Sequence, residues 1–348
     1  MNVKFHILII ASLLLFGCTK SEVTGTADGT TPIGFETYIG RDAQTKAASY
    51  GKDNLPASVG VYGFYSGAKT WAATDNPNLW ANLLLTNNSG TWSYDQNQVR
   101  YWVNSQDNYT FLSYAPYATG ATGNGLVAST GANPTLTYTV PEALSNQIDL
   151  LYSNTNKNIH KPTTGTSVTL DHKHALSRLT VKANAVMYDK KGAVVTTPAE
   201  GQEYDHTYTI TGITISGKFN TVGTLNLNDG TWNINSTADA SYDITGTART
   251  LNADLYDFSA GDNYLTMIPV EFTAESPAVI EVTYKISFAG VESDPITKSV
   301  EVATDFVQGN AYSINLTFQR ENNNTISFVV ESIDGWGDGG TVENENEN

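Results

Sequence analysis

Apolar residues in this chain recur at every second position, and that period restricts what it can fold into more than any other feature. Ile280, Val282, Tyr284, Ile286 and Phe288 alternate with Glu281, Thr283, Lys285 and Ser287. Successive side chains of an extended strand point to opposite faces, so this pattern predicts a strand with one face in a core and the other in water. Tyr312, Ile314, Leu316 and Phe318 repeat the pattern, as do Ile326, Phe328 and Val330, and Leu179, Val181 and Ala183. Further strands are expected at 59–65, 109–114, 136–140, 167–170, 208–215, 223–227, 231–234 and 264–269. Asn228-Asp229-Gly230, set between alternating apolar residues, predicts a hairpin turn, and Asn88-Ser89-Gly90 ahead of Trp92 predicts another. Polar stretches at 120–133 and 154–165 are expected to be surface loops, and 79–84 a short helix.

Many short strands separated by turn signals define an all-β chain built as β-sandwiches. At 348 residues it exceeds one ordinary sandwich, so two such domains in tandem are expected. The boundary is placed near Ala175, within about ten residues either way. This gives an N-terminal sandwich over 33–175 and a C-terminal one over 176–340. The tail 341–348, where Glu and Asn alternate from Glu343, is expected to be disordered.

The N-terminus carries a second signal. Lys4 precedes an apolar run from Ile7 to Phe16 that is too short for a permanent membrane span, so residues 1–17 are expected to be a signal peptide. The run ends Leu15-Phe16-Gly17-Cys18, the pattern of a bacterial lipobox, although Phe16 is bulkier than usual at its position. Cys18 is the only cysteine, so no intramolecular disulfide can form, and its thiol is the expected lipid attachment point. Acyl chains burying CH2 groups at about 0.8 kcal/mol each would hold the chain on a membrane. Residues 18–32, rich in Thr, Gly, Ser and Asp, would form a tether.

Charge narrows the partners. Cleavage removes the single charge at Lys4 and no acid, taking the formal net charge from −16 to −17. Phosphate contacts need clustered Lys and Arg, so nucleic acid is excluded as a partner. No GxSxG, P-loop, HExxH or dinucleotide fingerprint occurs, and Cys18 sits at the processing site, so no catalytic residue and no cofactor is assigned. On a strand His172 and His174 would share a face and could take a metal with His160 or His206. With no spaced Cys or HxxxH beside them, polar strand-end groups are the stronger reading and no metal site is assigned. Asp334, Asp338 and Glu343 lie near glycines without the spacing of a calcium loop. Trp71, Trp80, Trp92 and Trp102 could stack on sugar rings or sit in a core.

Several segments, taken in order, resemble the fimbrillin family, the subunits of type V pili. They are Gly34-Phe35-Glu36-Thr37-Tyr38-Ile39-Gly40-Arg41 with Thr45-Lys46-Ala47, then Phe111-Leu112-Ser113-Tyr114-Ala115-Pro116-Tyr117 and Asp149-Leu150-Leu151-Tyr152. His172-Lys173-His174-Ala175-Leu176-Ser177-Arg178-Leu179, Leu265-Thr266-Met267-Ile268-Pro269, Gly309-Asn310-Ala311-Tyr312 and Ile333-Asp334-Gly335-Trp336 complete the set. The resemblance covers about residues 33 to 340 and implies tandem sandwiches of transthyretin-like Greek-key type. It further implies a precursor lipidated at the outer membrane, surface-exposed, and cut by a trypsin-like protease before it joins a fimbrium. Cleavage after Arg41, or after Lys46 in competition, would release a first strand whose Ile33, Phe35, Thr37 and Ile39 share a face. Another fimbrillin subunit would then fill the groove, and adhesion to host or bacterial surface ligands would follow. The segment holding Ile326, Phe328 and Val330 is either the donated strand or the last strand of its own sandwich. The competing reading is a surface-anchored carbohydrate-binding lipoprotein.

Overall fold

The computed structural model of the chain describes residues 29–39, 56–118, 124–196, 203–259, 263–288, 290–319 and 326–333. These residues are all-β apart from two three-residue 3-10 turns at Gln96–Gln98 and Leu144–Asn146. In chain order the first nine strands are β1 (Gly34–Ile39), β2 (Ser58–Gly67), β3 (Trp80–Asn88), β4 (Thr91–Ser93), β5 (Asn108–Ala115), β6 (Leu126–Ala128), β7 (Thr135–Thr139), β8 (Leu151–Ile159) and β9 (Ser167–His174). Next come β10 (Ser177–Ala185), β11 (His206–Asn226), β12 (Trp232–Asp243), β13 (Arg249–Thr250), β14 (Tyr256–Asp257), β15 (Leu265–Met267) and β16 (Val270–Glu271). The last are β17 (Ala278–Phe288), β18 (Val291–Glu292), β19 (Ile296–Val302), β20 (Asp305–Phe306), β21 (Ala311–Phe318) and β22 (Ile326–Ile333).

The first half forms a seven-stranded sheet in the order β1-β9-β8-β5-β2-β3-β4. In the second half β14, β10, β21 and β22 lie side by side, with β15 also on β10. An eight-stranded sheet runs β18-β17-β11-β7-β6, with β12 and β13 on β11 and β19 on β17. Strands β6 and β7 thus precede Ala175 in sequence yet hydrogen-bond into the sheet built mainly from residues after it.

Two hydrophobic clusters explain why the halves interlock. Strands β2 and β5 are buried on both faces, which is why 59–65 and 109–114 read as nearly continuous apolar runs. Val59, Val61, Tyr109 and Phe111 point into one cluster with Trp80, Leu83, Leu85, Trp102, Val168 and Leu170. Tyr62, Phe64, Leu112 and Tyr114 point the other way, into a cluster shared with Leu179, Ile213, Tyr284 and Leu316. One sheet therefore serves two cores.

Three expectations change. Residues 80–88 form β3 where a helix was expected at 79–84. A bulge is the reason: Val61 pairs Leu83 and Gly63 pairs Trp80, so the residues between face a shorter partner, and Asn82 adopts φ 72°. Trp80 and Leu83 both turn inward, and this spacing of three imitates a helical repeat. The strands expected at 208–215 and 223–227 are one 21-residue strand, β11, bent by register shifts near Ile210 and Val222. The loops expected at 120–133 and 154–165 contain β6 and most of β8, whose Asn-rich half reads as polar because its residues 154–159 are only partly buried or exposed. Both predicted hairpin turns are present. Gly230 has φ 76° and its N–H donates to the Asn226 carbonyl (2.8 Å), and Ser89 and Gly90 both have positive φ between β3 and β4.

At Gly60 on β2 an added Cβ would lie 2.2 Å from Tyr114 Cε1 and 2.8 Å from Asn82 Oδ1. The Tyr114 hydroxyl donates to that same Asn82 oxygen at 2.7 Å, which fixes the ring in place. Gly60→Ala is therefore expected to destabilise the chain by about 1–3 kcal/mol through overpacking. Gly131→Ala, where nothing lies within 4 Å, should change stability by no more than about 0.5 kcal/mol. Urea unfolding of the two variants checks the contrast.

Candidate functional site

The first strand is where the geometry is unusual. β1 lies at the end of the seven-stranded sheet and pairs with β9 in parallel, from Gly34 opposite Ser167 to Ile39 opposite His172. Parallel partners must be far apart in sequence, so no tight turn joins β1 to its neighbour. Its ladder runs along one side. On the other side, among the described residues, the entry to the strand is held: the Ile33 N–H donates to the Arg100 carbonyl (2.9 Å) and the Trp102 N–H to the Thr31 carbonyl (3.0 Å). Pro32 forms an isolated antiparallel bridge with Tyr101. The Tyr94 hydroxyl donates to the Ile33 carbonyl (2.6 Å) and the Lys161 ammonium to the Thr31 hydroxyl (3.0 Å). Burial pushes the Tyr94 phenol above its ordinary pKa, which keeps the donating proton in place.

Alternation seats the side chains. Ile33 is fully buried and Phe35 nearly so, Thr37 is half-buried, and Glu36 on the opposite face is exposed. Phe35 sits in an aromatic cage, edge-on to Trp80 (5.7 Å between centroids), Phe111 (5.5 Å) and Tyr94 (6.2 Å). Trp102 walls the same cluster, edge-on to Tyr109 at 4.6 Å, and its indole N–H donates to the Thr166 carbonyl at 3.4 Å. Burying Ile33 and Phe35 stabilises the seating by about 1.5–3 kcal/mol each. Each backbone bond of the ladder adds about 0.5–1.5 kcal/mol net. Beyond Phe35 the open side of β1 borders a 420 Å³ cleft lined by Phe35, Glu36, Thr37, Gly90, Thr91, Trp92 and Ser167. The Thr37 hydroxyl is buried at its edge and, among the described residues, has no hydrogen-bond partner.

The other expected site residues fall as follows. Ile326, Phe328 and Val330 lie on β22, which pairs antiparallel with β21 along its whole length, Ile326 opposite Phe318 and Ile333 opposite Ala311, at a sheet edge of its own chain. Cys18, Arg41 and Lys46 lie outside the described residues, as do Asp334, Asp338 and Glu343. His172 Nε2 lies 3.0 Å from Ser113 Oγ, His174 Nδ1 lies 2.7 Å from Asp149 Oδ1, and His206 Nε2 lies 3.1 Å from the Tyr208 hydroxyl. Among the described residues no three His, Cys, Asp or Glu side chains gather as a metal-binding group. Trp71, Trp80 and Trp102 are buried, so their faces are not available to sugar rings, and Trp92 is half-buried. Sequence reasoning missed Tyr94, Trp102 and Lys161 as the holders of β1. The only signal was the density of aromatic residues from 92 to 102.

The same chain trace occurs in solved structures. A fimbrial protein from Bacteroides vulgatus superimposes with a TM-score of 0.64 at 17% identity, covering 88% of this chain and 99% of that one. A candidate cell adhesion protein from Bacteroides uniformis gives 0.50 at 19% identity, over 89% and 100%. At such identities the likeness defines the fold alone. In sequence, the chain is 28% identical to Fimbrium subunit Fim1C of Phocaeicola vulgatus over 123 residues, a match spanning 34% of this chain and 31% of that protein. The Fimbrillin-like family profile matches residues 45–336, and the chain belongs to that family.

Phe35→Ala should lower stability by about 3–5 kcal/mol, the cost of emptying an aromatic cage. Glu36→Ala, on the exposed face, should stay within about 0.5 kcal/mol of the parent. Chemical denaturation followed by Trp fluorescence reads both, because Trp80 is in contact with the missing ring.

Proposed function

We propose that this protein is a non-catalytic structural subunit of a bacterial surface fimbrium that supports adhesion and joins its neighbours by strand exchange. The precursor is tethered to the outer membrane through lipid on Cys18, with residues 18–32 as the spacer. A trypsin-like protease cuts after Arg41 or Lys46. Cleavage frees β1 at the end opposite its clamp on residues 100–102. Departure of β1 would uncover the outer edge of β9 and the pockets of Ile33 and Phe35. An extended strand from another subunit fills that groove, with backbone hydrogen bonds for affinity and alternate side chains for specificity. The candidate donor is the segment containing Ile326, Phe328 and Val330, which would have to leave its pairing with β21; the alternative is that it stays as the last strand of its own sandwich and the donor lies elsewhere. The two halves, 33–175 and 176–340, are read as tandem transthyretin-like Greek-key sandwiches.

One observation carries the reading. β1 is an edge strand with no short connection to its partner, yet its side chains complete a core. A strand of that kind is separable in principle and costly to leave unreplaced. Family membership supports the same assignment.

Trypsin treatment of the purified chain, followed by N-terminal sequencing and size-exclusion chromatography, tests it. Product beginning at Asp42 or Ala47, followed by growth of oligomers, is expected. A stable monomer beginning at Ser21, with the bonds after Arg41 and Lys46 intact, would overturn the proposal.

A further inference from the structure

We propose that the outer edge of β12 is a docking site for an extended peptide strand of a partner molecule, one that alternates apolar residues with Lys or Arg. The site is independent of β1 and does not rest on the exchange reading.

β12 is twelve residues long and pairs with β11 along one side. Among the described residues, Asn233–Asp243 make no backbone hydrogen bond to any other strand. A sheet edge of that length is a template for another strand unless something blunts it. Several other edges are blunted: β4 and β6 are three residues long, β14 and β18 are two, and β19 carries Lys298 near its middle, while the edge strands β1 and β22 are shorter than β12, at six and eight residues. β12 has no Pro, Lys or Arg between residues 232 and 243.

Its two faces say what would fit. Register places Trp232, Ile234, Ala238, Ala240 and Tyr242 opposite Leu225, Gly223, Phe219, Gly217 and Ile215. Tyr242 is buried, but Ile234 is 39% exposed and Ala238 is exposed, so this apolar row stops short of cover. An added strand would extend the sheet over Ile234 and Ala238. The opposite face carries Asp239 and Asp243, both exposed; Asp239 stands opposite Lys218 on β11, whereas Asp243 shares a row with Thr214 and Glu281 and has no base in it. A cation on the added strand beside Asp243 would meet carboxylates rather than another base. The chain's net charge of −16 opposes a second copy of itself and attracts a basic partner at long range.

Fluorescence anisotropy on the full chain tests this with three labelled peptides of about ten residues, a common strand length. One alternates Lys and Val, one alternates Glu and Val, and one is the Lys–Val peptide with alternate backbone nitrogens methylated. The Lys–Val peptide is expected to bind. The Glu–Val and N-methylated peptides should bind at least about tenfold more weakly, and so should the Lys–Val peptide to the D239K/D243K variant, whose folding is checked by its thermal midpoint. Equal binding of the N-methylated peptide would reduce the effect to charge alone and overturn strand addition. Absence of Lys–Val binding, or unchanged binding to the variant, would overturn the site. A dimer of the parent chain that the variant loses would give the edge to a second copy and likewise overturn the proposal.

Discussion

The pairing of β1 with β9, closed over by Ile33 and Phe35, is the contact on which the first core depends. Trp80, Tyr94, Trp102 and Phe111 are large, rigid rings, and they can only pack to interior density if a side chain fills the space between them. Phe35 supplies that filling from a strand with no short connection to the sheet. Apart from Trp102, the rest of the cluster, from Val59 to Leu170, is drawn from strands joined within the body of the sheet. Seating of β1 is thus a local event with consequences for an entire cluster.

The interlocked halves confine that event. β2 and β5 present one face to each core, so the sheet that receives β1 is backed by the larger cluster with Leu179, Ile213 and Leu316. β6 and β7 add backbone pairing across the same junction through β11. Gln308 donates to the Tyr152 hydroxyl (3.2 Å), and Trp232 donates through its indole N–H to the Ala175 carbonyl (2.8 Å). A frame held in this way can keep its shape around an edge position while that position changes occupant.

Much of this was legible in the alternation of apolar residues. β17, β21 and β10 follow directly from it, because a half-buried strand must alternate. The same alternation placed Ile33, Phe35 and Thr37 on one face. It failed where the backbone departs from a regular ladder: the bulge at Asn82 turned a strand into an apparent helix, and the bends in β11 split one strand into two. The parallel pairing of β1 with β9, and the holding of Thr31–Ile33 by residues 100–102, Tyr94 and Lys161, were not legible. These contacts join distant segments, and no local pattern encodes them. The buried Trp residues, open to a sugar-stacking reading in sequence, acquire their roles only through packing: Trp80 against Phe35 of β1, and Trp71 against Phe64 in the other cluster.

The most direct measurement of an exchangeable first strand is displacement. The chain is cut with trypsin and incubated with a labelled peptide matching residues 326–333, and native mass spectrometry follows which fragment stays bound. The account predicts one labelled peptide gained for each fragment ending at Arg41 or Lys46 that is lost. Retention of that fragment under excess peptide, with none of the label taken up, would contradict it.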